Sequence, residues 1–239
     1  MQTAFSPETL KFLRGLKKNN TRDWFDSRKA IYERELKVPM LTLIERVNHA
    51  LADLAPEHIR PPQKTMLRIY RDTRFASDKR PYKSHLSAWW GRTGMPKTSG
   101  AGFYLEINPT ELILAAGVFM PDRDQLLALR RFLVAHHAEL RRLLADRKLQ
   151  TRLPDRENSK PLMRAPKGFS PDAPDVAAAL DLLLCRQWGV SVTLPAEEAL
   201  SPTLTDLIVD RFRAAAPLVA LLNTPLAAAS TARAKAPLF

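Results

Sequence analysis

The side chains best equipped for chemistry crowd into one segment, Arg68-Ile-Tyr-Arg71-Asp72-Thr-Arg74-Phe75-Ala-Ser-Asp78-Lys79-Arg80-Pro81-Tyr82-Lys83. From Arg60 to Lys83 eight basic residues stand against two acids, Asp72 and Asp78. A guanidinium group grips phosphate or carboxylate through two parallel N–H bonds and keeps its charge at any working pH, so such a cluster is a natural anion cradle. Tyr70, Phe75 and Tyr82 add hydroxyl donors and stacking faces, and Pro81 stiffens the turn before Tyr82.

The segment supports three readings. In the first, Arg68, Arg71, Arg74, Lys79 and Lys83 hold the phosphates of an anionic ligand or nucleic acid while Tyr70, Tyr82 and Trp89-Trp90 stack on its rings. In the second, an enzyme acts on an anionic small molecule, with Asp72, Asp78 and Tyr82 at the site. A carboxylate among arginines has a lowered pKa and is a weak base, so the aspartates are better cast as organisers of arginine. In the third, the motif is an Arg/Asp/Tyr network that fixes the fold.

Outlying residues extend these options. Arg28 and Tyr32 stand four apart, one turn of a helix, and either aim together at the motif or leave Tyr32 in the core. In Pro166-Lys167-Gly168-Phe169, Lys167 offers an ammonium to an anion, or Gly168 simply permits a tight turn. His85 lies two residues after Lys83, where it is a candidate base or a structural histidine. His136 and His137 have no acids at ligand spacing, so no metal is expected, and no cofactor either. Walker A, Gly-x-Gly-x-x-Gly, Gly-x-Ser-x-Gly and His-Glu-x-x-His patterns are all missing.

Arg68 through Tyr82, written Arg-x-x-Arg-Asp-x-Arg-Phe-x-x-Asp-Lys-x-x-Tyr, resembles the signature of a bacterial and fungal family called domain of unknown function 2461. Phe12-Leu13, Asn19-Asn20, Trp24-Phe25-x-x-Arg28-x-x-x-Tyr32, Gly117-x-x-x-Pro121 and Pro166-Lys167-Gly168-Phe169 are similar to its other blocks. The resemblance implies membership and carries no activity with it. Ala76-Ser77 is a trivial departure from its pattern.

The elements that must position the segment follow from caps and periodicity. Ser6-Pro7-Glu8 starts a helix striped by Leu10, Phe12, Leu13 and Leu16, ending at Asn19-Asn20. Thr21 caps a second, longer helix, with a kink at Pro39. Alternation from Thr65 to Arg71 predicts a half-buried strand with Arg68 and Tyr70 on one face, and Leu86 to Trp90 a second. Residues 91–100 read as a flexible loop. Phe103–Ile107 and Leu112–Phe119 flank the turn Asn108-Pro109-Thr110 as a hairpin. Asp122 opens a helix striped by Leu126, Leu129, Leu133, His136, Leu140 and Leu143. Residues 150–174 read as irregular. Helices follow around 174–186 and 202–222, with a strand at Val190–Leu194 between them.

Strands flanked by helices predict an α+β fold, a mostly antiparallel central sheet packed by N-terminal and C-terminal helices. The expected organisation is one domain over 1–226, helical at 1–60, sheet-rich at 63–120 and helical at 122–225, with a flexible tail at 227–239. Of the 239 residues 45% are hydrophobic and 26% charged, which is globular composition, and the net charge of +12 favours polyanionic partners. The lone Cys185 excludes an internal disulfide and sits in an apolar stretch. No stretch approaches ~20 apolar residues, so no membrane partner is expected. Without a secretory start, the expected location is cytoplasmic.

Overall fold

The computed structural model describes residues 5–95, 100–157 and 161–235, with side chains to Ala227. Helix α1 (Pro7–Lys18) begins as its cap predicts, and the Ser6 N–H donates to Thr9 Oγ1 at 3.3 Å. The expected long second helix is instead broken. Thr21 Oγ1 accepts the Trp24 N–H and starts the short α2 (Arg22–Asp26). The chain leaves helical geometry at Arg28, then resumes as α3 (Lys29–Tyr32), a wide π turn (Glu33–Lys37) and α4 (Val38–Leu51). Pro39, second in α4, has no N–H to offer the carbonyl of Glu35 four residues back. That carbonyl accepts the hydroxyl of buried Thr9 at 2.7 Å instead, so the proline's missing donor is supplied by α1.

After α5 (Pro62–Thr65) come β1 (Met66–Leu67), β2 (Leu86–Gly91), β3 (Gly102–Ile107) and β4 (Glu111–Val118). Asn108 builds the β3–β4 turn: its N–H donates to Glu111 O at 2.9 Å, and its Oδ1 accepts the N–H groups of Thr110 and Glu111. Asp122 caps α6 (Arg123–Leu144) in a capping box with Gln125. Then follow α7 (Arg147–Arg152), β5 (Asp155–Glu157), α8 (Pro174–Leu183), β6 (Trp188–Pro195) and α9 (Leu204–Lys235). The strands form one antiparallel six-stranded sheet in the order β1-β2-β3-β4-β6-β5, so the fold is α+β as expected. Two expectations need redrawing. α7 and β5 occupy a stretch read as irregular, and α9 runs past Ala227 to Lys235. The loop expected at 91–100 lies partly outside the described residues, at 96–99. Among the described residues no helix is long and apolar enough to cross a membrane.

Chain contacts divide the molecule into two compact units. The first comprises 1–90, 104–114 and 193–210. Its core holds Phe12, Leu13, Leu16, Phe25, Leu36 and Met40. Trp89 and Trp90 are buried too; the Trp90 indole donates to Asn48 Oδ1 at 2.9 Å, and the Trp90 carbonyl lies 2.9 Å from His58 Nδ1. The expected stacking of Trp89-Trp90 on a ligand therefore fails, because β2 turns both into the interior.

The second unit comprises 91–103, 115–192 and 211–239. Here α6 packs on α8 and buries Leu129, Leu133 and Leu140, whereas His136 leaves the expected stripe, exposed and non-helical at φ −115° and ψ 17°. Buried Arg130 donates from Nε to Leu183 O (2.9 Å) and from an η nitrogen to Cys185 O (3.1 Å), satisfying carbonyls that the end of α8 leaves open. Burial pushes the Cys185 thiol pKa up, which keeps it protonated and inert. Gly117 has φ +137°, and a Cβ there would strike the Trp188 carbonyl oxygen and the Gly189 Cα.

Candidate anion-binding site

Arg68–Lys83 forms a hairpin rather than a continuous strand. Tyr70 and Tyr82 face each other as an isolated antiparallel bridge. The Arg71 N–H donates to Pro81 O (2.9 Å) and the Lys83 N–H to Ile69 O (2.8 Å). β1 is shorter than the predicted strand for a reason visible in the register. Leu67 pairs with Ser87 and Tyr70 with Tyr82, so three steps on one side oppose five on the other. The surplus follows Lys83, whose N–H still bonds Ile69, and bulges out around Ser84–His85 before Ser87; bulges of this kind re-aim side chains beside functional sites.

Aromatic packing anchors the hairpin. Tyr82, 4% exposed, stacks on Phe25 with ring centroids 4.2 Å apart, and Tyr70 meets Phe25 edge-on at 6.0 Å. Phe12 and Tyr32 complete the cluster, and burial raises the Tyr32 pKa to about 12. The side chain of Asn20 clasps the backbone of Tyr82, donating to its O (2.9 Å) and accepting from its N–H (3.0 Å). Tyr32 is thus core, as one of its two readings had it. Arg28 is the N-cap residue of α3 with its guanidinium 4.7 Å over the Trp24 ring, so the one-turn spacing from Tyr32 does not aim the pair at one point.

Beyond the bridge the loop shapes itself with two Asp-x-Arg clamps. Asp72 accepts the backbone N–H of Arg74 and both edges of its guanidinium, Nε at 3.0 Å and an η nitrogen at 2.7 Å. Asp78 does the same for Arg80 and also takes Arg71 at 2.6 Å. Lys79 caps the carbonyl of Thr73 at 3.0 Å. The Arg74 bonds hold the Asp72 carboxyl below the usual range, and the Arg80 and Arg71 bonds hold Asp78 further below it. Both are therefore fixed counter-ions. Phe75 stands at the tip, 96% exposed, and Tyr70 is 49% exposed.

Two cations escape the clamps. Among the described residues, the Arg68 and Lys83 side chains form no hydrogen bond or ion pair. Arg68 is exposed; Lys83 is half-buried, and its pKa is lowered first by burial and then by the Arg68 charge. Lys167 belongs to the second unit, in a turn closed by the Phe169 N–H on Pro166 O (3.1 Å), with Gly168 at φ +89° as such a turn requires.

The bulge also meets residues that the sequence reading passed over. Tyr104 and Glu106 lie two apart on β3, and the Tyr104 hydroxyl donates to Glu106 Oε2 at 2.7 Å. His85 Nε2 lies 3.7 Å from the same oxygen. Glu106 is 16% exposed and His85 27%. The i, i+2 spacing of Lys83 and His85, and of Tyr104 and Glu106, was the available signal; the register that joins them was not. No group of three or more His, Cys, Asp or Glu among the described residues is arranged to hold a metal.

The model for the conserved hypothetical protein family DUF2461 matches residues 8–220, so the chain belongs to that family. No curated protein and no solved structure matches it.

Proposed function

We propose that this chain binds a phosphate-bearing anionic ligand, nucleic acid among them, through the Arg68–Lys83 hairpin. The carrying observation is the pair Arg68 and Lys83, whose side chains make no direct ion pair among the described residues, with burial and the Arg68 charge both opposing the Lys83 ammonium. Like charges held this way are relieved by an anion between them. Exposed Tyr70, two residues from Arg68, and Phe75, beside Arg74 at the loop tip, provide stacking faces, as in proteins that track a nucleic-acid backbone. Arg74 and Arg80 are already paired and contribute long-range field more than contact. Tyr82, Arg71 and Asp78 hold the hairpin in shape, so the scaffold reading accounts for those three. On this proposal the protein works in the cytoplasm.

The test is fluorescence anisotropy of a labelled single-stranded oligothymidylate, competed with inorganic phosphate. Affinity should fall steeply with salt, and Arg68→Ala and Lys83→Ala should each weaken binding on the order of tenfold. Undetectable binding in dilute buffer, or variants that bind like the parent, overturns the proposal.

A further inference from the structure

We propose that the Lys83–Ser84–His85 bulge and the facing pair Tyr104–Glu106 form an acid–base site that hydrolyses a phosphoester, His85 being the general base. This rests on the anion-binding reading and goes beyond it, because it assigns a reaction to the inner end of the same hairpin.

The geometry has the parts such chemistry needs. A base must be positioned by a third group, and here Glu106 lies 3.7 Å from His85 Nε2 while Tyr104 fixes the same carboxylate at 2.7 Å. Asn108 Nδ2 lies 3.4 Å from the other oxygen, Oε1, so both ends of the carboxylate are held. The second ring nitrogen of His85, Nδ1, has no partner among the described residues and is free to take a proton. The charged groups that act on His85, Glu106 and Lys83, both belong to this cluster. Burial and the Lys83 charge depress the His85 pKa against Glu106, which favours the imidazolium, so the ring is neutral at neutral pH and able to accept a proton. Lys83 in turn feels burial and Arg68, which prepare its ammonium to give up a proton.

The step balances without a further co-reactant. A water oxygen attacks phosphorus and makes the new P–O bond, and its proton passes to His85 Nδ1. The bond to the leaving oxygen breaks with its electron pair on that oxygen, which takes a proton from Lys83. The His85 proton then returns to Lys83 through solvent. Arg68 neutralises charge on the non-bridging oxygens. Asp72 and Asp78, tied to arginine, take no proton. Glu106 and Tyr104 act as positioning residues.

The experiment follows nitrophenol release from bis(p-nitrophenyl) phosphate by the full chain, with chelator present, beside inorganic phosphate binding. Turnover with kcat/KM rising along a limb centred below ~6.5 is expected. His85→Gln should cut kcat on the order of a hundredfold while phosphate still binds. Glu106→Gln should move the limb to lower pH, since the carboxylate raises the His85 pKa; a merely structural role would leave the limb in place. Phosphate binding without nitrophenol release above buffer sinks the hydrolytic site and leaves the binding proposal standing. Loss of both sinks both. If His85→Gln does not fold by circular dichroism, an unmoved limb in Glu106→Gln is sufficient refutation.

Discussion

The Tyr82 ring lies stacked on that of Phe25, with centroids 4.2 Å apart and planes 17° from parallel, so the end of the hairpin is bolted to α2. Tyr82→Ala removes a buried aromatic from this stack and should cost about 3–5 kcal/mol in urea unfolding. Tyr82→Phe keeps the ring and should cost far less. Equal losses would mean that the hydroxyl, not the stack, carries the anchor.

Asn20 holds the same residue by its backbone. Asn20→Leu leaves the Tyr82 N–H and carbonyl without those partners and should destabilise by about 1–3 kcal/mol. The hairpin should loosen with it, read as faster exchange of the Arg71 and Lys83 amides.

Asp72 gives a test with the opposite sign. Its charge screens Arg68 and occupies Arg74. Asp72→Asn should therefore tighten phosphate or oligonucleotide binding several-fold, with little change in stability because the clamp is exposed. Weaker binding with a lowered melting temperature would favour a purely scaffolding motif.

The pH dependence of stability follows from His85. Its folded pKa lies below the ordinary histidine value, chiefly through burial, so the unfolded chain binds the extra proton first. The contribution is full above ~6.5 and is lost as pH falls through the folded pKa. Melting temperature should decline over that acid range, and His85→Gln should decline less. Identical slopes in parent and variant would count against the shift.

Gly117→Ala combines a strained φ with a collision against the Trp188 carbonyl, and should cost at least ~1–3 kcal/mol in chemical denaturation. A neutral outcome would show that β4 and β6 can part to accept a methyl group.

What could be read from the sequence divides along physical lines. Local hydrogen-bonding signals held. Ser6-Pro7 began α1, Asp122 with Gln125 began α6, and Asn108-Pro109-Thr110 turned β3 into β4, because each depends on residues within one turn. Periodicity failed where tertiary partners intervened. Thr9 supplies the donor that Pro39 lacks, and Arg130 is buried beside Leu129 and Leu133 because α8 leaves carbonyls to be met. The site was half legible. Charge density located the hairpin, and neighbouring arginines correctly cast the aspartates as counter-ions. Glu106 and Tyr104 stayed hidden because their meeting with His85 is set by strand register, which no local pattern encodes.

The surplus in the Lys83–His85 bulge is two residues, and that parity has a consequence for insertions and deletions. Side chains along a strand alternate with period two, so an even surplus leaves Ser87 and every later residue of β2 on its original face. A single deletion in this stretch would exchange the faces of Trp89 and Trp90, forcing each indole into a buried space shaped for the other. Length changes here should therefore be tolerated in pairs and rejected singly, independently of which residues are gained or lost.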